Sequence, residues 1–248
     1  MLARTTSDVS VLPPGVEVRA GQLEDPLPLA DVTSVVYCAS MGFGHIPSVV
    51  QQLESAGVKR AVFISTTAIF TSLPSRSRAV RVHAESVVNN SSLDWTILRP
   101  TMIYGTARDR NISRLLRLLK RSPLFPLCGN ALWQPIYVED LAGAVVSSLD
   151  SDASISRTYN LAGACALRFA ELVRTAAHVL SRRVLLVPVP LSAAVVAARL
   201  TRVVTPEQVR RLAEDKAFDY APAAQDLGFK PRSFSEGVHL EARALGLL

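Results

Sequence analysis

Few residues in this chain have types and spacings that could do chemistry, and they are scattered. Met41-Gly42-Phe43-Gly44-His45 places two glycines after an apolar run and before an amphipathic one. Glycines so placed let backbone N–H groups approach a phosphate at a helix N-terminus. No third glycine follows at the spacing such a loop needs, so MGFGH reads better as a flexible loop beside a ligand. His83, within SRAVRVHAESVV, titrates near neutral pH and could move a proton, or it is an ordinary helix-surface histidine. Arg110, Arg114 and Arg117 could meet a substrate phosphate, or form a solvated helix face. Cys38, Cys128 and Cys165 are far apart and form no C-x-x-C. That argues against a disulfide framework and against zinc, and no metal site is expected. Cys38 lies in an apolar strand pattern and reads as a buried small hydrophobe.

The elements that must position these residues come from a globular chain. Its 248 residues are 49% hydrophobic and 19% charged, enough for one α/β domain or a domain with a small lobe. The net charge of +6 is spread along the sequence without basic runs interleaved with aromatics, so nucleic-acid binding is not expected. Residues 1–15 lack an apolar signal core, and a cytoplasmic location is expected. Val184–Leu200 is the longest apolar stretch. Pro188 and Pro190 interrupt it, so it reads as strand, turn and packed helix, not as an integral membrane segment.

Strands and helices alternate. Gly15–Ala20 reads as a short strand, and Ser34–Ser40 as a strand buried on both faces. Ile46–Ala56 is an amphipathic helix ended by Gly57. Arg60–Ser65 is a strand, Val80–Val88 a helix and Trp95–Leu98 a strand. Asn111–Lys120 puts Ile112, Leu115, Leu116 and Leu119 on one helix face. Asp140–Leu149 is a helix, Arg157–Leu161 a strand and Phe169–Leu180 a helix. Such alternation predicts a parallel sheet covered by helices on both faces.

Several ordered motifs carry a resemblance. DWTILRPTMIYG at 94–105 is an apolar strand running into Arg99-Pro100 and a turn at Tyr104-Gly105. GQLEDP (21–26), SVVYCAS (34–40), RAVFISTTAIF (60–70), WQPIYVEDLAGAV (133–145), TYNLAG (158–163) and AFDYAPAAQDLGFKPRSFSEGV (217–238) accompany it in order. Together they resemble the extended and atypical short-chain dehydrogenase/reductases, nearest to the NAD(P)-dependent epimerase/dehydratase-like proteins. The resemblance implies a Rossmann-like doubly wound α/β fold over 1–165 with a small, intertwined C-terminal substrate lobe over 166–248. It implies an NAD(P) cofactor and a small-molecule substrate, such as a nucleotide-linked sugar or a related carbonyl compound. Gln22 and Leu23 would meet the adenine. Cys38, Ala39 and Ser40 would line the ribose and pyrophosphate. Arg99, Pro100, Met102 and Ile103 would hold the nicotinamide. Thr66, flanked by Ser65 and Thr67, matches the hydroxyl that hydrogen-bonds the reacting oxygen. Homodimerisation through two long helices is common in the family, and Val80–Val88 would supply one.

The chain departs from the family pattern twice. The catalytic Tyr-x-x-x-Lys pair is missing. In one register Ala79 and His83 stand in its places; in another, Ser77 and Arg81 do. Tyr104 or His83 would have to supply the proton, and His83 could instead hold a ribose hydroxyl. The glycine-rich phosphate loop is also missing, so the natural start is expected about 25–35 residues upstream, one βα unit away. Arg4 would then lie beside the adenosine 2′ position, where a cation leans the preference to NADP over NAD. Two classes of function stay open: a dinucleotide-dependent enzyme, and a non-catalytic dinucleotide binder acting as a structural, assembly or redox-sensing unit.

Overall fold

The computed structural model describes residues 1–3, 9–10, 12–73, 75–201, 209–210 and 212–248, with the side chains of 76 and 197–201 left undescribed. Arg4 lies outside the described residues. In chain order the elements are β1 (Leu2–Ala3), β2 (Arg19–Ala20), β3 (Ser34–Tyr37), α1 (Ile46–Ser55), β4 (Arg60–Ile64), α2 (Arg76–Asn89) and β5 (Asp94–Pro100). Then come β6 (Ile103–Tyr104), α3 (Ile112–Arg121), β7 (Leu124–Leu127), β8 (Leu132–Trp133), β9 (Ile136–Tyr137), α4 (Val138–Asp150) and β10 (Arg157–Leu161). The chain closes with β11 (Leu167–Arg168), α5 (Phe169–Val179), β12 (Leu185–Pro188), α6 (Leu191–Thr201), α7 (Ala221–Leu227) and α8 (Phe234–Ala244).

Four parallel strands in the order β10-β5-β4-β3 form the central sheet. Val62, Phe63, Ile97 and Leu98 have no exposed surface, as strands covered on both faces require. One cluster on this sheet packs α1 and α2 through Val49, Leu53, Ala84 and Val88. Another packs α4 and α7 through Leu141, Ala144 and Leu227. Helices therefore cover both faces. The one charged group at the start of β4, Arg60, is answered by polar partners. It donates to Thr96 Oγ1 and Ser154 Oγ, each at 2.7 Å, and to the carbonyls of Asp94 and Ser148.

The strand at the sheet edge departs from expectation. Pairing in β3 stops at Tyr37, and Val35 and Val36 are only half-buried because nothing pairs on their far side in this sheet. Cys38, expected to be buried, is exposed, because the chain leaves the sheet one residue before it. The strand expected over Gly15–Ala20 shrinks to Arg19–Ala20, which pairs with Leu2–Ala3 apart from the main sheet.

A further core joins elements on either side of the sheet's last strand. Leu115, Leu116 and Leu119 of α3 meet Leu172 and Val173 of α5 and Val238 and Ala242 of α8. Both ends of this packing are capped by the sequence. Asp109 accepts from the backbone N–H of Asn111 and Ile112 at 2.7 and 2.9 Å, and Lys120 and Arg121 close the C-terminal turn of α3. Ser233 and Glu236 form a capping box on α8. The expected Val184–Leu200 strand, turn and helix are present as β12 and α6. Among the described residues no helix is long and apolar enough to cross a membrane.

Candidate functional site

Two cavities open near the C-terminal ends of β3, β4 and β5, where open parallel sheets bind ligands. The first, of about 730 Å³, is walled by Gly21, Gln22, Leu23, Glu24, Ala39, Phe43, His45 and the first three residues. Gln22, Leu23 and Ala39, expected to hold the adenosine end, are thus brought together from two separated segments. Ser40 is engaged nearby: its hydroxyl accepts from Gly42 N–H at 3.2 Å and caps a 3-10 turn over Met41–Phe43. MGFGH is therefore a tight turn and not an open loop. Cys38 does not line this cavity.

The second cavity, of about 620 Å³, lies between the turn after β4 and the segment 214–218. Five hydroxyl residues line it: Thr66, Thr67, Thr71, Ser72 and Thr101. Four of them are committed as donors to protein oxygens. Thr67 donates to Pro100 O, Thr101 to Gln134 O, and Thr71 and Ser72 to the Glu214 carboxylate. Thr66 differs. Its Oγ1 accepts from Ala68 N–H at 3.2 Å, capping the 3-10 turn Thr67–Phe70, and its own hydrogen meets no acceptor among the described residues. A hydroxyl can accept and donate at once, so Thr66 keeps a donor to offer a ligand. Met102 lines the same cavity, whereas Pro100, which is buried, and Ile103 lie outside its lining.

The far wall comes from distant sequence. Glu214 reaches across 143 residues to accept from Thr71 and Ser72, strapping the segment to the turn. Burial opposes its charge, but the hydrogen bonds from Thr71 and Ser72 and the nearby Lys216 outweigh it and hold the carboxyl below its usual range. Glu214 is thus an ionised anchor. Lys216 stacks its ammonium 4.0 Å from the centre of the Trp133 ring. Asp215 accepts from Leu132 N–H at 2.7 Å. No spacing in the sequence signals this strap, because its partners meet only through the fold.

Below the turn sits a polar lock that the sequence also does not announce. Ser65 Oγ donates to buried Glu85 at 2.5 Å, and Arg99 Nε lies 3.1 Å from both Glu85 oxygens. The Arg99 guanidinium also covers the Phe70 ring at 5.2 Å. Arg99, expected to help fix a nicotinamide, is instead spent on Glu85. Ser65 holds the end of β4 and does not line the cavity.

His83 and Tyr104, the two expected proton carriers, stand elsewhere. His83 is exposed on α2 and lines neither cavity. Tyr104 is 1% exposed, with its ring against Tyr137 and Phe234 and its hydroxyl toward Gly237. Burial, then the charges of Asp140 and Glu241, push its pKa far up, so it holds its proton. The alternative pair behaves differently. Arg81 donates to Ser77 Oγ at 3.0 Å, and its guanidinium lies 3.3 Å from where a Cβ on Gly42 would stand. Ser77 and Arg81 therefore face the turn after β3, while Ala79 and His83 face solvent. Among the described residues no cluster could hold a metal ion.

The fold is a Rossmann-like α/β architecture, a parallel sheet covered by helices on both faces. Residues 1–117 match the family described as NAD(P)H-binding, and this part of the chain is an NAD(P)H-binding domain. Over 113 residues the chain is 34% identical to NADH dehydrogenase [ubiquinone] 1 alpha subcomplex subunit 9, mitochondrial, of Arabidopsis thaliana, covering 44% of this chain but only 28% of that protein. It is 23% identical to UDP-glucose 4-epimerase of Vibrio cholerae over 88% of this chain and 78% of that one. The solved UDP-glucuronic acid 4-epimerase of Bacillus cereus, in complex with NAD, superposes with a TM-score of 0.73 at 14% identity, covering 93% and 80% of the two chains.

The described residues fit NAD(P) at its two ends. The larger cavity offers the Gln22 amide with Leu23, Ala39 and Phe43, beside the Glu24–His45 pair, and the cleft offers Met102 and a donor hydroxyl.

Proposed function

We propose that this protein is an NAD(P)-dependent oxidoreductase or epimerase acting on a hydroxyl-bearing or carbonyl carbon, in a nucleotide-linked sugar or a small carbonyl compound. The observation that carries it is Thr66 at the wall of the cleft, whose hydroxyl oxygen is fixed by accepting from Ala68 N–H while its hydrogen is left without an acceptor among the described residues. Gln22, Leu23 and Ala39 would hold the adenosine end, and Met102 with the buried Pro100 the other. When bound, the nicotinamide supplies a hydride donor or acceptor.

The chain's own residues do the rest. Thr66 donates to the reacting oxygen and stabilises charge developing there. Ser65, Glu85 and Arg99 keep the turn that carries Thr66 in place. Glu214 closes the strap that shields the cleft from water. Ser77 and Arg81 lie beside the turn that carries Gly42 and would meet the ribose or pyrophosphate. Arg4 carries the proposal that NADP is preferred over NAD.

Thr66→Val against Thr66→Ser tests this reading. Serine keeps both the cap and the donor, whereas valine loses both. With a substrate panel, kcat/KM should fall about 10²–10³-fold for valine and change little for serine, with cofactor affinity constant. Equal activity in wild type and the valine variant overturns the role. The second reading, a non-catalytic dinucleotide holder, is favoured by the placement of His83 and Tyr104 outside the cleft. Tight NAD(P) binding without turnover of any panel substrate would establish it instead.

A further inference from the structure

A third cavity, of about 270 Å³, adjoins the cleft and shares Met102, Asn111 and Trp133 with it. Its chemistry is different. Ile112 and Leu115 of α3, Phe125 of β7 and Phe169 of α5 line it with the flat faces and branched ends of hydrocarbon side chains. Leu118, also in the wall, is 43% exposed, so the cavity opens toward solvent along α3. Among the described residues, the polar residues of the lining apart from Asn111 are Arg110 and Arg114, and no carboxylate lines it. The surrounding sequence continues the pattern: residues 110–138 hold five cations and no acid.

A nucleotide base needs donors and acceptors along its edge, and this lining supplies one amide. An apolar chain or ring needs only area, and an anionic group beside it would meet two guanidinium groups. We infer that this cavity is a substrate subsite that takes the apolar arm of an anionic amphiphile, with Arg110 and Arg114 pairing its charged group, while its reacting oxygen lies in the cleft beside Thr66. The inference rests on the proposed enzyme reading and deepens it: of the two substrate classes, the carbonyl compound fits and the nucleotide-linked sugar does not. Trp133 forms the common wall, 9% exposed, so an occupant of either cavity touches it.

Straight-chain carboxylates of increasing length, kept below their aggregation concentrations, test the inference by calorimetry on the full 248-residue chain. Affinity should rise about fourfold for each added methylene, as burial of one methylene dictates, and then level off once the cavity is filled. Leu115→Trp fills the cavity and should weaken the longer probes at least about tenfold by displacing their chain. Arg110→Gln with Arg114→Gln, both at exposed positions where folding is not at stake, should weaken the carboxylates about tenfold and leave the matching alcohols unchanged. An affinity independent of chain length overturns the inference, and so does a rise that never levels off. Carboxylate affinity unchanged in the double arginine variant overturns the anionic part. NADPH titrated in the same samples keeps the two readings apart. Intact cofactor binding without carboxylate binding overturns this subsite alone, whereas wild type binding neither NADPH nor NADH overturns the cofactor-dependent reading beneath it.

Discussion

Replacing Glu85 by leucine should be among the most damaging single changes to this fold, and the structure says why. The Glu85 side chain is 6% exposed and that of its partner Arg99 is 21% exposed. Removing the carboxylate keeps the volume but leaves a largely buried guanidinium with only the Phe70 ring as a partner among the described residues, and deprives Ser65 of its acceptor. Breaking a buried pair from one side costs about 3–5 kcal/mol. Residual exposure of Arg99 argues for the lower end, about 3 kcal/mol. With a urea slope near 3 kcal/mol/M for a chain of this size, the midpoint should fall by about 1 M. Arg99→Met should do at least as much, since it strands the more deeply buried charge. The double variant is the decisive sample. With both charges gone, nothing is left unpaired, so its loss should be far smaller than the sum of the two singles. The cycle should report a coupling of about 2–3 kcal/mol. A coupling below about 0.5 kcal/mol would refute the claim that Glu85 and Arg99 stabilise each other, and with it the account of how the Thr66 turn is held.

Stability should also depend on pH through Glu241. This carboxyl on α8 has no exposed surface, and neither oxygen meets a donor at hydrogen-bonding geometry, although Asp109 and the Gly105 N–H are near. Burial first, and then Asp109, push its pKa up to about 9. The folded state therefore keeps a proton that the unfolded chain releases near the ordinary carboxylate pKa of about 4.3. The sign follows: the stabilisation is complete below that value and is lost as pH rises toward 9, by at most about 1.4 kcal/mol per pH unit. Glu241→Gln should flatten urea midpoints between pH 6 and 8, and an equally steep fall in that variant would exclude Glu241 as the source. Gly163→Ala should lower the melting temperature by about 3–10 °C, because its Cβ would stand 2.2 Å from the Pro135 carbonyl, a backbone atom that cannot swing away. An unchanged melting temperature would show that the approach of β10's exit to the Gln134-Pro135 turn is looser than described.

Much of the architecture was written in local pattern. Ala61–Ile64 is a continuous apolar run and Trp95–Leu98 is apolar but for Thr96, and such runs have few alternatives to a doubly covered parallel strand. Leu115, Leu116 and Leu119 mark the buried face of α3 because helical period is a property of neighbours in sequence. The motif order also placed Gln22, Leu23, Ala39, Thr66 and Met102, and the structure sets these five on two cavity walls. The same order could not say which way each residue faces. Cys38 falls just past the point where β3 leaves the sheet, and pairing partners, not hydropathy, decide where a strand ends. Arg81 and His83 lie two residues apart on α2, about 200° round the helix and so on nearly opposite faces, and packing of α2 against β5 and the Met41–Phe43 turn sets Arg81 toward that turn and His83 toward solvent. Glu85 with Arg99, and Glu214 with Ser72, are partners in space across 14 and 142 residues. Such pairs carry no periodic signal, because each exists only after the sheet has closed and the C-terminal segment has crossed it. Sequence thus determined the kind of fold and which residues line the two cavities. Tertiary structure decided which hydroxyl keeps its hydrogen for a ligand, because a hydrogen bond to a distant residue is made or denied by geometry alone.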